Sequence, residues 1–203
     1  SDIPVQDNAG SDAATIKQIT AEGEAAELLR KRLQGLGRPI ISTEHLDRQF
    51  VAVGSRLHWG KWLTFVDFLS DYIKTSLGSD WGNAEIAKPL EKRHPILQWY
   101  DHVCKQQRAA VQDAGKIHSM PMTGATAAYF GLAYNLYLLE HNAELKKRLI
   151  QRLKNSDQFR GAYYECLVAA CFALAGFELS LENEDDNDTT HCEFSARNKI
   201  SGN

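Results

Sequence analysis

The sequence predicts a mainly α-helical protein: a multi-helix N-terminal body, then one further helix and a short antiparallel β-hairpin. Three observations predict it. Apolar residues recur at three- and four-residue steps through most of the chain before Phe177. Glycines, prolines and capping residues break that pattern at helix-length intervals. Strict apolar–polar alternation, the mark of a half-buried strand, begins only at Phe177.

Composition sets the outer limits. The 203 residues are 43% hydrophobic and 24% charged, ordinary for a globular chain. A net charge of −3 gives no overall attraction to nucleic acid or anionic lipid, so any such contact depends on a local patch. Cys104, Cys166, Cys171 and Cys192 form no Cys-x-x-Cys pair and read as reduced thiols. With no basic-plus-apolar leader, the expectation is a cytoplasmic protein that does not enter a membrane.

Residues 1–10 are polar and expected to be flexible. A helix is expected from Ser11 to Leu33, with Ile16, Ile19, Ala26, Leu29 and Leu33 roughly on one face. Gly35, Gly37 and Pro39 end it, and Arg30-Lys31-Arg32 suits the negative end of its dipole. Ser42 or Thr43 is read as the cap of a second helix with the stripe Leu46, Phe50, Val53, Leu57. Trp59, Trp62, Leu63, Val66, Leu69, Tyr72 and Ile73 continue at helical spacing. Such a stripe could stack bases, but burial preferences favour core. His58 has no partner at ligand spacing.

Residues 78–83 (GSDWGN) read as a turn, and Ala84–Lys88 as a short helix limited by Pro89. Pro95 suits the first turn of a helix carrying Ile96, Leu97, Tyr100, Val103 and Cys104. Asp101 and His102 are adjacent there and diverge on the helix surface, so they do not form a dyad. Residues 113–121 read as a linker. Thr123 can cap a small-residue helix over 124–142, buried at the centre and too short in apolar length to span a bilayer. Asn142 can cap a helix over 143–154. Leu145, Leu149, Ile150 and Leu153 face inward, and Lys146, Lys147, Arg148, Arg152 and Lys154 are placed on its outer side. This is the densest basic surface expected, a solvated face or a nucleic-acid contact.

Asp157 is a plausible cap for the next helix, whose stripe is Phe159, Ala162, Tyr163, Cys166, Ala169, Ala170 and Ala173. Gly176 stops it. Glu165 lies near that apolar face, where an ionised carboxylate must find a partner or a cation. Phe177, Leu179 and Leu181 then alternate with polar residues. Residues 183–190 form an acidic turn. Cys192, Phe194 and Ala196 alternate again, with Glu193 on the opposite face. Two strands are marginal alone, so this unit looks unfinished.

The run FRGAYYECLVAACFALAGFEL followed by HCEF resembles the opening of the PD-(D/E)XK, or restriction-endonuclease-like, nuclease core. In that family a helix bears a glutamate, and a hairpin follows whose strands carry an acid and then an acid-x-Lys pair. The resemblance implies that Glu165 is the helix acid and Glu193 the first strand acid, both catalytic and Mg²⁺-binding, with DNA as substrate. No acid-x-Lys strand follows in the 203 residues; Glu144-Leu145-Lys146 spells the tripeptide, but upstream and in a helical pattern. The organisation expected is therefore a helical domain over 1–155 and the start of a nuclease-like core over 156–203. The function expected is that of a Mg²⁺-dependent nuclease fragment, inactive in this form. The alternative is a non-enzymatic helical interaction module, its hairpin edge covered by a second copy, a partner or a further segment.

Overall fold

The computed structural model describes residues 9–34, 36, 40–53, 56–111, 113, 115–181 and 194–198. The protein is mainly helical, as its periodicity predicts. In chain order come α1 (Ala9–Gln34), β1 (Ile41–His45), β2 (Arg48–Val53), β3 (Arg56–Gly60), α2 (Phe65–Leu77), α3 (Ser79–Ile86), a 3₁₀ turn (Leu90–Lys92), α4 (Pro95–Ala110), α5 (Gly124–Leu138), α6 (Ala143–Leu153), α7 (Phe159–Leu174), β4 (Glu178–Leu181) and β5 (Phe194–Arg197).

The largest correction lies at residues 41–60. Instead of a helix over Leu46–Leu57 there is an antiparallel meander in the order β1-β2-β3. The spacing Leu46, Phe50, Val53, Leu57 suits a helix, but Val51 and Val53 also alternate, and both are buried. β-Branched residues at period two favour the pleated state. Leu46 and Asp47 make the β1–β2 turn at φ 49° and 57°. Register pairs Thr43 with Phe50 and Phe50 with Trp59, and places His58 opposite Val51.

The remaining local signals act largely as expected. Thr64 and Asp67 form a reciprocal capping box at the start of α2. His94 caps α4 ahead of Pro95, its Nδ1 accepting from the Ile96 N–H at 3.3 Å. Thr123 accepts from the Thr126 N–H at the start of α5. Two details differ. The GSDWGN segment lies within α3 apart from Gly78, which joins α2 to α3. α7 is preceded by Gln158 with no side-chain cap, and Asp157 donates its own N–H to Asn155 Oδ1 at 2.9 Å.

α5 is the central helix, packed against α2, α4 and α7. Leu132, Ala133 and Leu136 are fully buried on it, meeting Ile73, Ile96, Leu149, Leu153 and Cys166 in one core. α7 and the hairpin share that core through Ala162, Cys166, Ala169 and Leu179. Gly176, at φ 81°, turns the chain from α7 into β4. The hairpin then packs back on α7, the Phe172 ring lying 5.2 Å from Phe177 and 6.4 Å from Phe194. No helix among the described residues is long and apolar enough to cross a membrane.

Candidate functional site

Glu165 projects from the flank of α7's buried stripe. Arg152, in the last turn of α6, grips both of its oxygens: Nη2 lies 2.9 Å from Oε1, and Nη1 bonds Oε2. Both side chains are about one-fifth exposed. A two-pronged guanidinium–carboxylate pair is the geometry in which arginine binds most strongly and most directionally. The partner that Glu165 was expected to need is therefore a neighbouring helix's arginine.

Glu193, the other residue the resemblance assigns, lies outside the described residues, immediately before β5. Among the described residues no group of three His, Cys, Asp or Glu side chains could hold a metal ion. Mg²⁺ requires near-octahedral oxygen coordination, commonly one or two carboxylates with water and phosphate. The described residues do not fit it: they offer a single carboxylate there, already neutralised by Arg152.

The expected basic face of α6 is largely redistributed. Lys146 is not on the outer side. It is 4% exposed, paired with Glu140, and its Nζ lies 4.5 Å from the centre of the Tyr72 ring. Its position explains this: it follows Leu145 and precedes Leu149 by three, inside the apolar stripe. Arg152 is held by Glu165, and Lys154 lies over Trp81 at 5.8 Å. Lys147 is exposed and Arg148 half-buried.

A second polar constellation was not anticipated. Glu140, just beyond α5, has a side chain with no solvent exposure. Its Oε1 lies 3.2 Å from Arg56 Nη1 and 3.7 Å from His58 Nε2, both on β3. At 3.7 Å the imidazole contact is electrostatic rather than a hydrogen bond. Oε2 accepts from the Tyr72 hydroxyl of α2 and from Lys146 Nζ of α6. The Tyr72 hydroxyl is also 3.0 Å from the Leu136 carbonyl, so its one proton has two acceptors in reach. Burial raises the carboxyl's affinity for a proton, but His58, Lys146 and Tyr72 outweigh it and hold Glu140 well below the usual carboxylate range. Burial and the charge of Glu140 push the Tyr72 hydroxyl well above the usual phenol range. Burial pushes the nearby Cys166 thiol up to about 12, which favours the neutral thiol over the thiolate. This cluster joins the meander to three helices and satisfies both oxygens of Glu140, while His58 Nε2 stays buried without a hydrogen-bond partner.

His94 is the third buried polar group of note. Its Nε2 is buried without a hydrogen-bond partner, and the rings of Phe159 and Trp81 stand edge-on to it at 4.8 and 5.3 Å. Burial lowers its pKa and favours the neutral ring. The expected linker runs beside a cavity of about 500 Å³ between the start of α2 and the end of α4. Its lining is mostly apolar, including both methionines, Met120 and Met122. Two of its polar residues, Thr64 and Asp67, are occupied in the α2 cap.

Comparison with protein-family models, with curated proteins and with solved structures finds no match.

Proposed function

We propose that this chain joins a helical domain to the opening helix and hairpin of a PD-(D/E)XK-like phosphodiesterase core, and that the chain by itself does not cut DNA. The observation that carries this reading is the α7–hairpin unit. A helix with a half-buried carboxylate runs through a glycine turn into two antiparallel strands packed on the same helix. Glu193 directly precedes the second strand in sequence. Arg152 supplies the charge that Glu165 requires within this chain. An acid-x-Lys strand, which the 203 residues do not contain after β5, would supply the missing acid and cation.

A nicking assay on supercoiled plasmid with Mn²⁺ tests this. The 203-residue chain is expected to leave plasmid intact. The product of the encoding frame, if it carries a further acid-x-Lys strand, is expected to nick it and to lose that activity in Glu193→Ala. Metal-dependent nicking by the 203-residue chain, lost in Glu165→Ala, would overturn the claim of inactivity. A frame without such a strand would overturn the nuclease reading.

One observation favours the second reading, an interaction module. Among the described residues β5 pairs only with β4, and its other edge presents unpaired backbone groups. Sedimentation over a wide concentration range distinguishes the two: self-association abolished by Ser195→Pro would place a second copy on that edge.

A further inference from the structure

The meander has two faces, and the helices cover only one. Val51 and Val53 are buried against the body, and His58, opposite Val51, approaches Glu140 from the same side. Side chains alternate across a strand, so Phe50, Leu57 and Trp59 belong to the other face. Register brings Ile41, Ala52 and Leu57 into one row and Thr43, Phe50 and Trp59 into the next. Ile41, Leu57 and Trp59 are 63%, 59% and 56% exposed. Arg48 shares this face, its guanidinium 4.6 Å from the centre of the Trp59 ring, and His45 is its cross-strand partner. The meander's acids lie elsewhere: Glu44 bonds Gln49 on the covered-side rows at 2.9 Å, and Asp47 sits in the turn.

We propose that this open face binds single-stranded nucleic acid, with a base replacing the Arg48 guanidinium over the Trp59 ring and Arg48 turning to contact the backbone phosphate. An exposed apolar patch of this kind marks an interaction surface. An aromatic ring flanked by arginine and histidine, with no carboxylate on the same face, complements a polyanion whose units each carry a π-face. A two-fold pairing of copies fits less well, because the patch carries Arg48 and His45 but no carboxylate for them to meet on a second copy. The inference stands apart from the nuclease reading: it uses no residue of α6 or α7 and no metal.

The test is fluorescence anisotropy of a labelled oligothymidylate of about 12 nucleotides, within the span such surfaces cover, titrated with the 203-residue chain in chelator. Binding is expected to weaken as salt rises and to quench tryptophan fluorescence. Trp59→Ala is expected to lower affinity about tenfold, the loss of one stacked base, and Trp59→Phe by less. Leu57→Lys, at an already exposed position, is expected to tighten binding. It guards against a Trp59→Ala protein that fails to fold. Lys147→Ala is expected to change little. Absence of binding, equal binding by wild type and folded Trp59→Ala, or a loss produced by Lys147→Ala instead would overturn the proposal. So would self-association of the wild type that Trp59→Ala abolishes, since the face would then be a protein interface.

Discussion

Glu140 and Lys146 each bury a charge that neither could bury alone. Glu140→Ala leaves an ammonium group among apolar side chains, and a drop of about 3–5 kcal/mol in unfolding free energy is expected in urea titration. Glu140→Leu combined with Lys146→Met removes both charges and is expected to recover most of that loss. If the double variant is as unstable as Glu140→Ala, the destabilisation does not come from a stranded charge. Little of this cluster was legible beforehand. Lys146 sits among three other cations on α6, with Lys154 just past its end, and charge grouped it with them, although its place between Leu145 and Leu149 put it in the stripe. The distance from Glu140 to β3 spans more than 80 residues, which no local period records. Glu165 was more readable, because desolvation alone required a partner; that the partner is Arg152 needed the packing of α6 on α7. His94 supplies a pH dependence whose sign follows from burial. Its folded pKa lies below the ordinary 6.5, so the unfolded chain binds the proton more readily. Its contribution is complete above the unfolded value and is lost as pH falls through the window beneath it. Melting temperature is expected to fall on acidification from neutral pH, and His94→Asn, which keeps a cap on α4, is expected to flatten that slope. An unchanged slope in His94→Asn would assign the effect to another group.

The elements most easily read were those whose period had one solution. α4 and α5 carry their caps where the sequence shows them and α7 ends at its glycine, whereas Asn142 and Asp157 make no side-chain cap; buried residues recur along all four helices. The meander was hidden because residues 46–57 satisfy two periods, and the turn that decides between them pairs Asp47 with a leucine and has no glycine. Leu46 and Asp47 both take the left-handed conformation in a two-residue hairpin, where Asn-Gly is the favoured pair. A leucine there is strained, since its Cβ crowds the following carbonyl. Replacing the pair by Asn-Gly is expected to raise unfolding free energy by about 1–2 kcal/mol, read as a higher urea midpoint with an unchanged slope. A fall would mean that the Leu46 side chain has a packing role. Gly176 is the opposite case, where the special residue is present and required. At φ 81° an added Cβ would also come within 2.9 Å of Leu36 Cβ. Gly176→Ala is therefore expected to destabilise the α7–β4 junction by about 1–2 kcal/mol. Loss of the Leu36 N–H bond to the Leu174 carbonyl, 2.7 Å long, should appear as faster exchange at Leu36.

At the scale of the molecule, the core draws on β2, α2, the helices α4 to α7 and β4, whereas the described side chains of α1 from 17 to 29 stay outside it. Each described side chain from 17 to 29 on α1 is exposed, including Ile19, Leu28 and Leu29. Among the described residues, the members Ile19, Ala26 and Leu29 of the apolar stripe read from its sequence are therefore left uncovered. A helix without a buried face draws its stability only from propensity and local pairs such as Glu27–Arg30, each worth a few tenths of a kcal/mol. The body differs, because α5 contributes buried residues to contacts with three helices and α7 contributes to both the core and the hairpin. Hydrogen exchange should separate the two. Amides of Ile73, Leu132, Leu136 and Leu149 are expected to exchange only through global unfolding, and with nearly the same free energy. Amides over 17–29 are expected to exchange faster by orders of magnitude. Cys166 and Leu179 should follow the slow group, since the α7–hairpin unit shares the core. Removing residues 1–34 is expected to leave the thermal midpoint of the body nearly unchanged. If α1 amides were as protected as those of α5 and truncation lowered the midpoint by many degrees, the exposed leucines of α1 would have to be covered by a second chain.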